Sequence, residues 1–314
     1  MTSDRAAGRT PSTVGVGMGI GAYGLWGLFP AFFPLLEPAS ATEILGHRMV
    51  WTLVFMLILL TVSGRLSHLR GIPLRTWAMA GMASVLIAVN WGVYIYAVNS
   101  GHVVEASLGY FINPLLSVAL GVVVLREGLG RWQLLALGLA VCAVVVLTVD
   151  YGRPPFISLT LAASFGMYGL IKKTIKLDPR SSLTAEGLVL APLSIGYLVW
   201  LQLSGASTFT DHGAGHAVLL LTAGLVTALP LLLFGAAAQR IPLVTLGVLQ
   251  YLTPVLQLAW GLAVVHEAMP PSRWLGFAII WVALVIFTID LVVKGRRSAR
   301  LRSAPGRPTP AIVR

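Results

Sequence analysis

The chain has 314 residues, 57% hydrophobic and 11% charged, with a mean hydropathy of +0.85 and a formal net charge of +11. This composition excludes a soluble globular domain of this size and indicates a polytopic α-helical membrane protein. A single cysteine, Cys142, excludes an internal disulfide framework and, inside an apolar run, reads as a small packed hydrophobe.

Residues 1–13, MTSDRAAGRTPST, form a short polar cytoplasmic segment with no clear cleavage site beyond it, so the apolar run that follows is a first span. Ten spans are expected, at roughly 14–36, 43–63, 77–98, 103–125, 132–150, 156–174, 184–204, 217–237, 243–265 and 274–293. Each has the length of about twenty residues that a helix needs to cross hydrocarbon roughly 30 Å thick. The tail 294–314 is basic and rich in Pro, Gly and Ser, and reads as disordered against an anionic inner leaflet. Of the 22 Lys and Arg, all but Arg48, Arg153 and Arg273 fall on one side of this arrangement. The positive-inside rule then places both termini in the cytoplasm. The basic balance is a topology signal and requires no nucleic acid.

The first span carries Gly15, Gly17, Gly19, Gly21, Gly24 and Gly27, a spacing that allows close helix approach. The second opens ATEILGHRMVW, with Glu43 and His47 one turn apart and Arg48 adjacent. A charge deep in a bilayer costs roughly 2.5–3.5 kcal/mol on insertion scales and needs a partner or a purpose. Arg48 suits a substrate carboxylate or phosphate, and Glu43 and His47 suit proton exchange; snorkelling to the outer interface or a structural ion pair is the alternative. The third span and its loop, NWGVYIYAVNSGHVVEASLGY, place Asn90 and Tyr94 one turn apart, as substrate contacts or as interhelical hydrogen-bonding groups. His102 and Glu105 fall at the outer connection and, with Glu43, form a candidate gate or proton site.

The stretch SLGYFINPLLSVALGVVVLRE, residues 107–127, is echoed by GVLQYLTPVLQLAWGLAVVHE, residues 247–267. Pro114 aligns with Pro254, Gly121 with Gly261, Glu127 with Glu267, Thr148 with Thr288 and Asp150 with Asp290. An internal duplication follows, in two five-span halves at 14–151 and 152–293. An odd number of spans per half makes the halves inverted, as in many secondary transporters with a midplane site at the repeat interface. Each copy has a polar stripe at helical spacing: Tyr110, Asn113 and Ser117 in the first, Gln250, Thr253 and Gln257 in the second. These groups line a cavity or join helices. Pro114 and Pro254 each remove a mid-helix donor and are candidate hinges.

The chain has no GxxxxGK[ST] loop, HExxH, CxxC or GxSxG. The expectation is a protein that is not an enzyme and carries no cofactor or metal. The motifs EILGHR at 43–48, NWGVYIYAVNSGHVVEASLGYFINP at 90–114 and LQYLTP at 249–254 resemble the EamA group of the drug/metabolite transporter superfamily, in its RarD branch, often labelled "chloramphenicol-sensitive protein". The resemblance covers all ten spans. It implies ten transmembrane helices in two inverted five-helix repeats around a central cavity, and an inner-membrane carrier or exporter of small metabolites or drugs. Arg48 and Asn90 have no counterparts in the second half, so their roles are asymmetric. The combined reading is a secondary transporter with Arg48, Asn90, Tyr94, Tyr110, Asn113, Gln250 and Gln257 binding substrate. Glu43, His47, His102 and Glu105 serve as gate or proton-coupling groups, in a monomer or homodimer. A sensor or scaffold, a small-solute channel and a membrane enzyme are the alternatives.

Overall fold

A computed structural model describes residues 13–125, 130–238, 240, 241, 245 and 248–303. Residues 1–12, Glu127 of the duplicated motif and the tail beyond 303 lie outside them. The described residues are helical throughout, joined by short turns. Pro30 and Pro34 break the first span: α1 (Thr13–Gly27) gives way to α2 (Phe29–Phe32) and a 3-10 turn (Phe33–Leu36) with a 45° bend. Each proline removes a backbone donor and crowds the turn before it. There follow α3 (Ala41–Val62), α4 (Leu74–Asn99), α5 (Val103–Leu125), α6 (Arg131–Tyr151), α7 (Phe156–Thr174), α8 (Pro179–Leu203), the short α9 (Thr208–Asp211), α10 (Gly213–Ala238), α11 (Leu252–Ala263) and α12 (Pro271–Ser303).

Six of these are long and apolar enough to cross a membrane: α3, α4, α6, α8, α10 and α12 over Pro271–Asp290. The bent α1–α2 pair makes a seventh, while α7 over Phe156–Lys172 and α11 are shorter apolar helices. The 23-residue α5 contains Pro114. Ten uniform spans are not seen among the described residues. A turn at Gln250 and Tyr251 precedes α11, which starts at Leu252. The same turn corrects the reading of Pro254, which lies in the first turn of α11 and not in mid-helix. A missing N–H there has no intrahelical partner to lose. The tail also differs from expectation: α12 stays helical to Ser303, because 294–303 holds good helix formers and proline arrives only at Pro305.

Helix packing is selective. α1 lies against α10 and α11, α7 against α4 and α5, α3 against α8 and α10, α4 against α8, α5 against α11, and α6 against α12. The α6–α12 pair turns Val141, Val145, Val149, Val282, Val285 and Ile289 outward, an apolar surface suited to lipid. Cys142 is exposed on this surface and not packed as a core hydrophobe. On α1 one glycine face makes the close approach. A Cβ on Gly15 would lie 2.7 Å from Arg240 Cβ and one on Gly27 would lie 2.6 Å from Leu256 Cδ1, whereas Gly17 and Gly24 face open space.

Candidate functional site

Arg48 follows His47 on α3 and is 2% exposed. It does not snorkel to the interface. Its Nε donates to Thr227 Oγ1 of α10 at 2.7 Å, and that hydroxyl is oriented by donating to Ala223 O at 2.8 Å. The guanidinium carbon sits 3.9 Å from the Trp91 ring centroid, with Phe29 at 5.2 Å and Phe33 at 5.5 Å. Three ring faces give the cation an electrostatic cradle without a counter-ion. Among the described residues no carboxylate pairs with Arg48, and its Nη1 is buried with no hydrogen-bond partner.

Tyr94 and Tyr110 lie within electrostatic reach of Arg48, their rings 5.6 Å apart edge to face. Tyr94 Oη and Gln257 Oε1 are also buried with no partner in hydrogen-bond geometry, and the two side chains lie close enough to interact. A donor, a hydroxyl and an acceptor are thus held together, unpaired, in the protein interior. Each such group costs about 1–3 kcal/mol when left unmet.

Other groups lock this arrangement. Asn90 Nδ2 donates to Leu161 O at 2.9 Å and Ser164 Oγ at 3.1 Å on α7, while its Oδ1 accepts from Tyr110 Oη at 3.3 Å. Asn90→Leu is expected to lower stability by about 1–3 kcal/mol, because it strands these partners. A melting curve in detergent checks this, and an unchanged curve would make the junction dispensable. On α11, Thr253 Oγ1 donates to Tyr23 O at 2.8 Å and Gln257 Nε2 to Trp26 O at 3.3 Å. Trp26 O is the carbonyl that Pro30 deprives of its helical donor. The second polar stripe therefore joins helices through its amide nitrogen while its amide oxygen stays free.

The remaining predicted residues stand apart. Asn113 Oδ1 is buried and unpartnered beside Gly166 on α7, and Ser117 is exposed. Gln250 sits in the turn before α11, and no side-chain hydrogen bond among the described residues ties it to Arg48. Glu43, His102 and Glu105 each bond to different partners. Glu43 Oε1 accepts from Thr208 N at 2.8 Å and Ser207 Oγ at 3.3 Å, capping α9. His102 Nδ1 meets Ser100 Oγ at 3.0 Å. Glu105 pairs with Arg153 at 3.1 Å and accepts from Ile157 N at 3.2 Å at the start of α7. Carboxylates at helix N-termini satisfy free amides and suit the helix dipole. His47 accepts from Trp51 Nε1 at 3.2 Å through Nδ1 and stacks on Phe209, with Nε2 unpartnered.

Two features were not anticipated from the sequence. One is the set around Arg48 of Thr227, Trp91, Phe29 and Phe33; one of two threonines in the apolar α10 was the available signal. The other is Glu186, which accepts from Lys172 Nζ at 2.6 Å, Ser182 Oγ at 2.8 Å and Tyr168 Oη at 3.1 Å between α7 and α8.

Residues 13–149 match the family model described as "EamA-like transporter family". The chain is 54% identical over 290 residues to "Protein RarD" of Streptomyces exfoliatus, covering 91% of this chain and 92% of that one. The chain belongs to the EamA-like transporter family, among RarD proteins. "Protein RarD" of Escherichia coli (strain K12) is 39% identical over 289 residues, covering 91% and 97% of the two chains. "Uncharacterized transporter YojE" of Bacillus subtilis (strain 168) is 43% identical over 285 residues, covering 88% and 93%. One solved crystal structure shares the fold at a TM-score of 0.58 and 16% identity, covering 89% of this chain and 99% of that chain. This EamA-like protein is thus a multi-pass membrane transporter of the drug/metabolite superfamily, with Arg48 buried among its helices.

Proposed function

We propose that the protein is a secondary transporter. It carries a small metabolite or drug bearing an anionic group across the bacterial inner membrane, by alternating access between inverted halves at 14–151 and 152–293, with both termini cytoplasmic. The observation that carries this reading is the Arg48 guanidinium: buried, cradled by rings, without a carboxylate partner among the described residues, and beside the unpaired Tyr94 Oη and Gln257 Oε1. A substrate carboxylate or phosphate completes Arg48 and Tyr94, and a substrate donor completes Gln257. Asn90 and Tyr110 hold the α4–α5–α7 wall of the site in place. Asn113 and Gln250 face the substrate in another stage of the cycle. Glu43 and His47 belong to the outer gate, where α3 meets α9.

The helix pairing supports the inverted halves. Exchange α1, α3, α4, α5 and α6 with α7, α8, α10, α11 and α12. The α1–α10 contact then becomes α7–α4, α1–α11 becomes α7–α5, and α3–α10 becomes α8–α4. The α3–α8, α5–α11 and α6–α12 contacts map onto themselves. This is the pattern that a two-fold axis in the membrane plane produces.

The test is a thermal-shift screen of small carboxylates, organic phosphates and neutral amphenicol drugs on the purified protein. Uptake into proteoliposomes follows, with and without a pH gradient. Stabilisation by one anionic class, with saturable uptake of its members, is expected. Absence of binding and flux across all three classes would favour a sensor or scaffold.

A further inference from the structure

The turn joining α11 to α12, residues 264–270, carries a carboxylate that the Arg48 site does not use. Glu267 Oε1 accepts from Val104 N at 2.9 Å, and Val103 N also faces the carboxyl. These are first-turn amides of α5, which have no acceptor within their own helix. Gly261 makes the approach possible: a Cβ there would lie 2.8 Å from Val104 Cγ2 and 3.2 Å from Glu267 Oε1. The turn is anchored by Glu267 N donating to Gly261 O at 3.0 Å, and His266 before it takes the left-handed φ of 56°. That conformation is unfavourable for a residue with a Cβ and persists only where the surroundings enforce it.

The charges around Glu267 come from three helices. α5 presents Glu105, whose Oε2 is taken by Arg153 at 3.1 Å. α12 presents Arg273, which pairs with Asp150 at 3.0 Å, donates to Ala268 O and covers the Tyr151 ring at 4.2 Å. α6 contributes Asp150 and Tyr151, both engaged by Arg273. Both arginines at this end thus serve other carboxylates, and among the described residues none forms an ion pair with Glu267. Burial pushes the Glu267 carboxyl up to about 7. The amides of Val104 and Val103 and the Arg273 charge pull it down, and Glu105 adds to the rise.

We propose that Glu267 is a proton-binding site that ties the α11–α12 turn to the start of α5: its carboxyl holds a proton while the turn is packed and releases it to water as the turn separates. A protonated carboxyl keeps an oxygen that accepts the Val104 N–H, so protonation preserves the cap while removing the cost of a half-buried charge. The packed form binds the proton more tightly than the separated form, so packing is favoured below about pH 7 and weakened above it. The inference rests on the geometry of this seam and is independent of the transport reading.

Amide hydrogen exchange on the full chain in lipid nanodiscs tests it without a substrate, at pH 6 and pH 8 and corrected for intrinsic exchange rates. Protection of Val103 and Val104 is expected to fall about tenfold between the two pH values. In Glu267→Gln, a neutral isostere that still accepts the N–H, the protection is expected to stay level. Constant protection in the parent protein would overturn the proposal, as would an equal fall in Glu267→Gln. The parent pH series decides the matter even if the variant folds poorly.

Discussion

Arg48→Met abolishes saturable uptake of the anionic substrate, while the detergent-solubilised protein melts at or above the temperature of its parent. The two halves of this expectation have separate causes. Met fills much of the volume beside Trp91, Phe29 and Phe33, so packing is kept. Replacing a buried ion by an apolar side chain removes a desolvation cost, which makes such changes neutral or stabilising. Binding, by contrast, loses a charge-assisted contact to a buried group. Such a loss is worth about 2–5 kcal/mol, roughly thirtyfold to several thousandfold in affinity. Arg48→Lys restores the charge but not the planar stacking on Trp91, and is expected to recover binding only in part. Melting curves with parallel uptake at matched reconstitution check both. A variant that loses stability together with uptake would make Arg48 a structural residue.

Gly224→Ala has the largest expected effect on the fold. A Cβ at this position of α10 would lie 2.4 Å from the backbone carbon of Trp51, 2.5 Å from Trp51 Cβ and 2.7 Å from Thr52 N. Backbone atoms cannot yield as a flexible side-chain tip can, so α3 and α10 must separate. Overpacking of this kind costs about 1–3 kcal/mol, well beyond the small gain in helix propensity from Gly to Ala. Thr227 lies three residues on and holds Arg48 Nε, so the same displacement loosens the site. Gly17→Ala and Gly24→Ala meet no atom within 4 Å and serve as controls with no loss. Melting curves of the three variants decide it, and Gly224→Ala matching the controls would contradict the packing described.

The sequence made the helical membrane class and the assembly of Arg48, Asn90, Tyr94, Tyr110 and Gln257 legible for one reason. Polar groups inside apolar runs are conspicuous, and lipid cannot satisfy them. What escaped it depends on partners far along the chain. Thr227 is 179 residues from Arg48, and one of two threonines in an apolar helix carries no mark of its role. Trp91 carried no signal of its own in the sequence, yet it covers a buried cation. Glu43, His102 and Glu105 looked like neighbours because all lie near the outer ends of spans. Loop amides and Arg153 draw them to separate places. The turn at Gln250 and Tyr251 had no proline or glycine to announce it, so Pro254 read as mid-helix and Gln250 as part of the site. Glu267 stood out only as a repeat marker, and its burial against α5 depends on Gly261.

The most direct measurement compares uptake of a carboxylic acid that stabilises the protein with uptake of its methyl ester, in proteoliposomes containing the parent protein and Arg48→Met. Correction for passive ester permeation comes from protein-free vesicles. A buried guanidinium that receives the substrate's negative charge predicts saturable uptake of the acid by the parent alone, with no protein-dependent uptake of the ester by either. Equal transport of acid and ester by the parent, or undiminished transport of the acid by Arg48→Met, would contradict it.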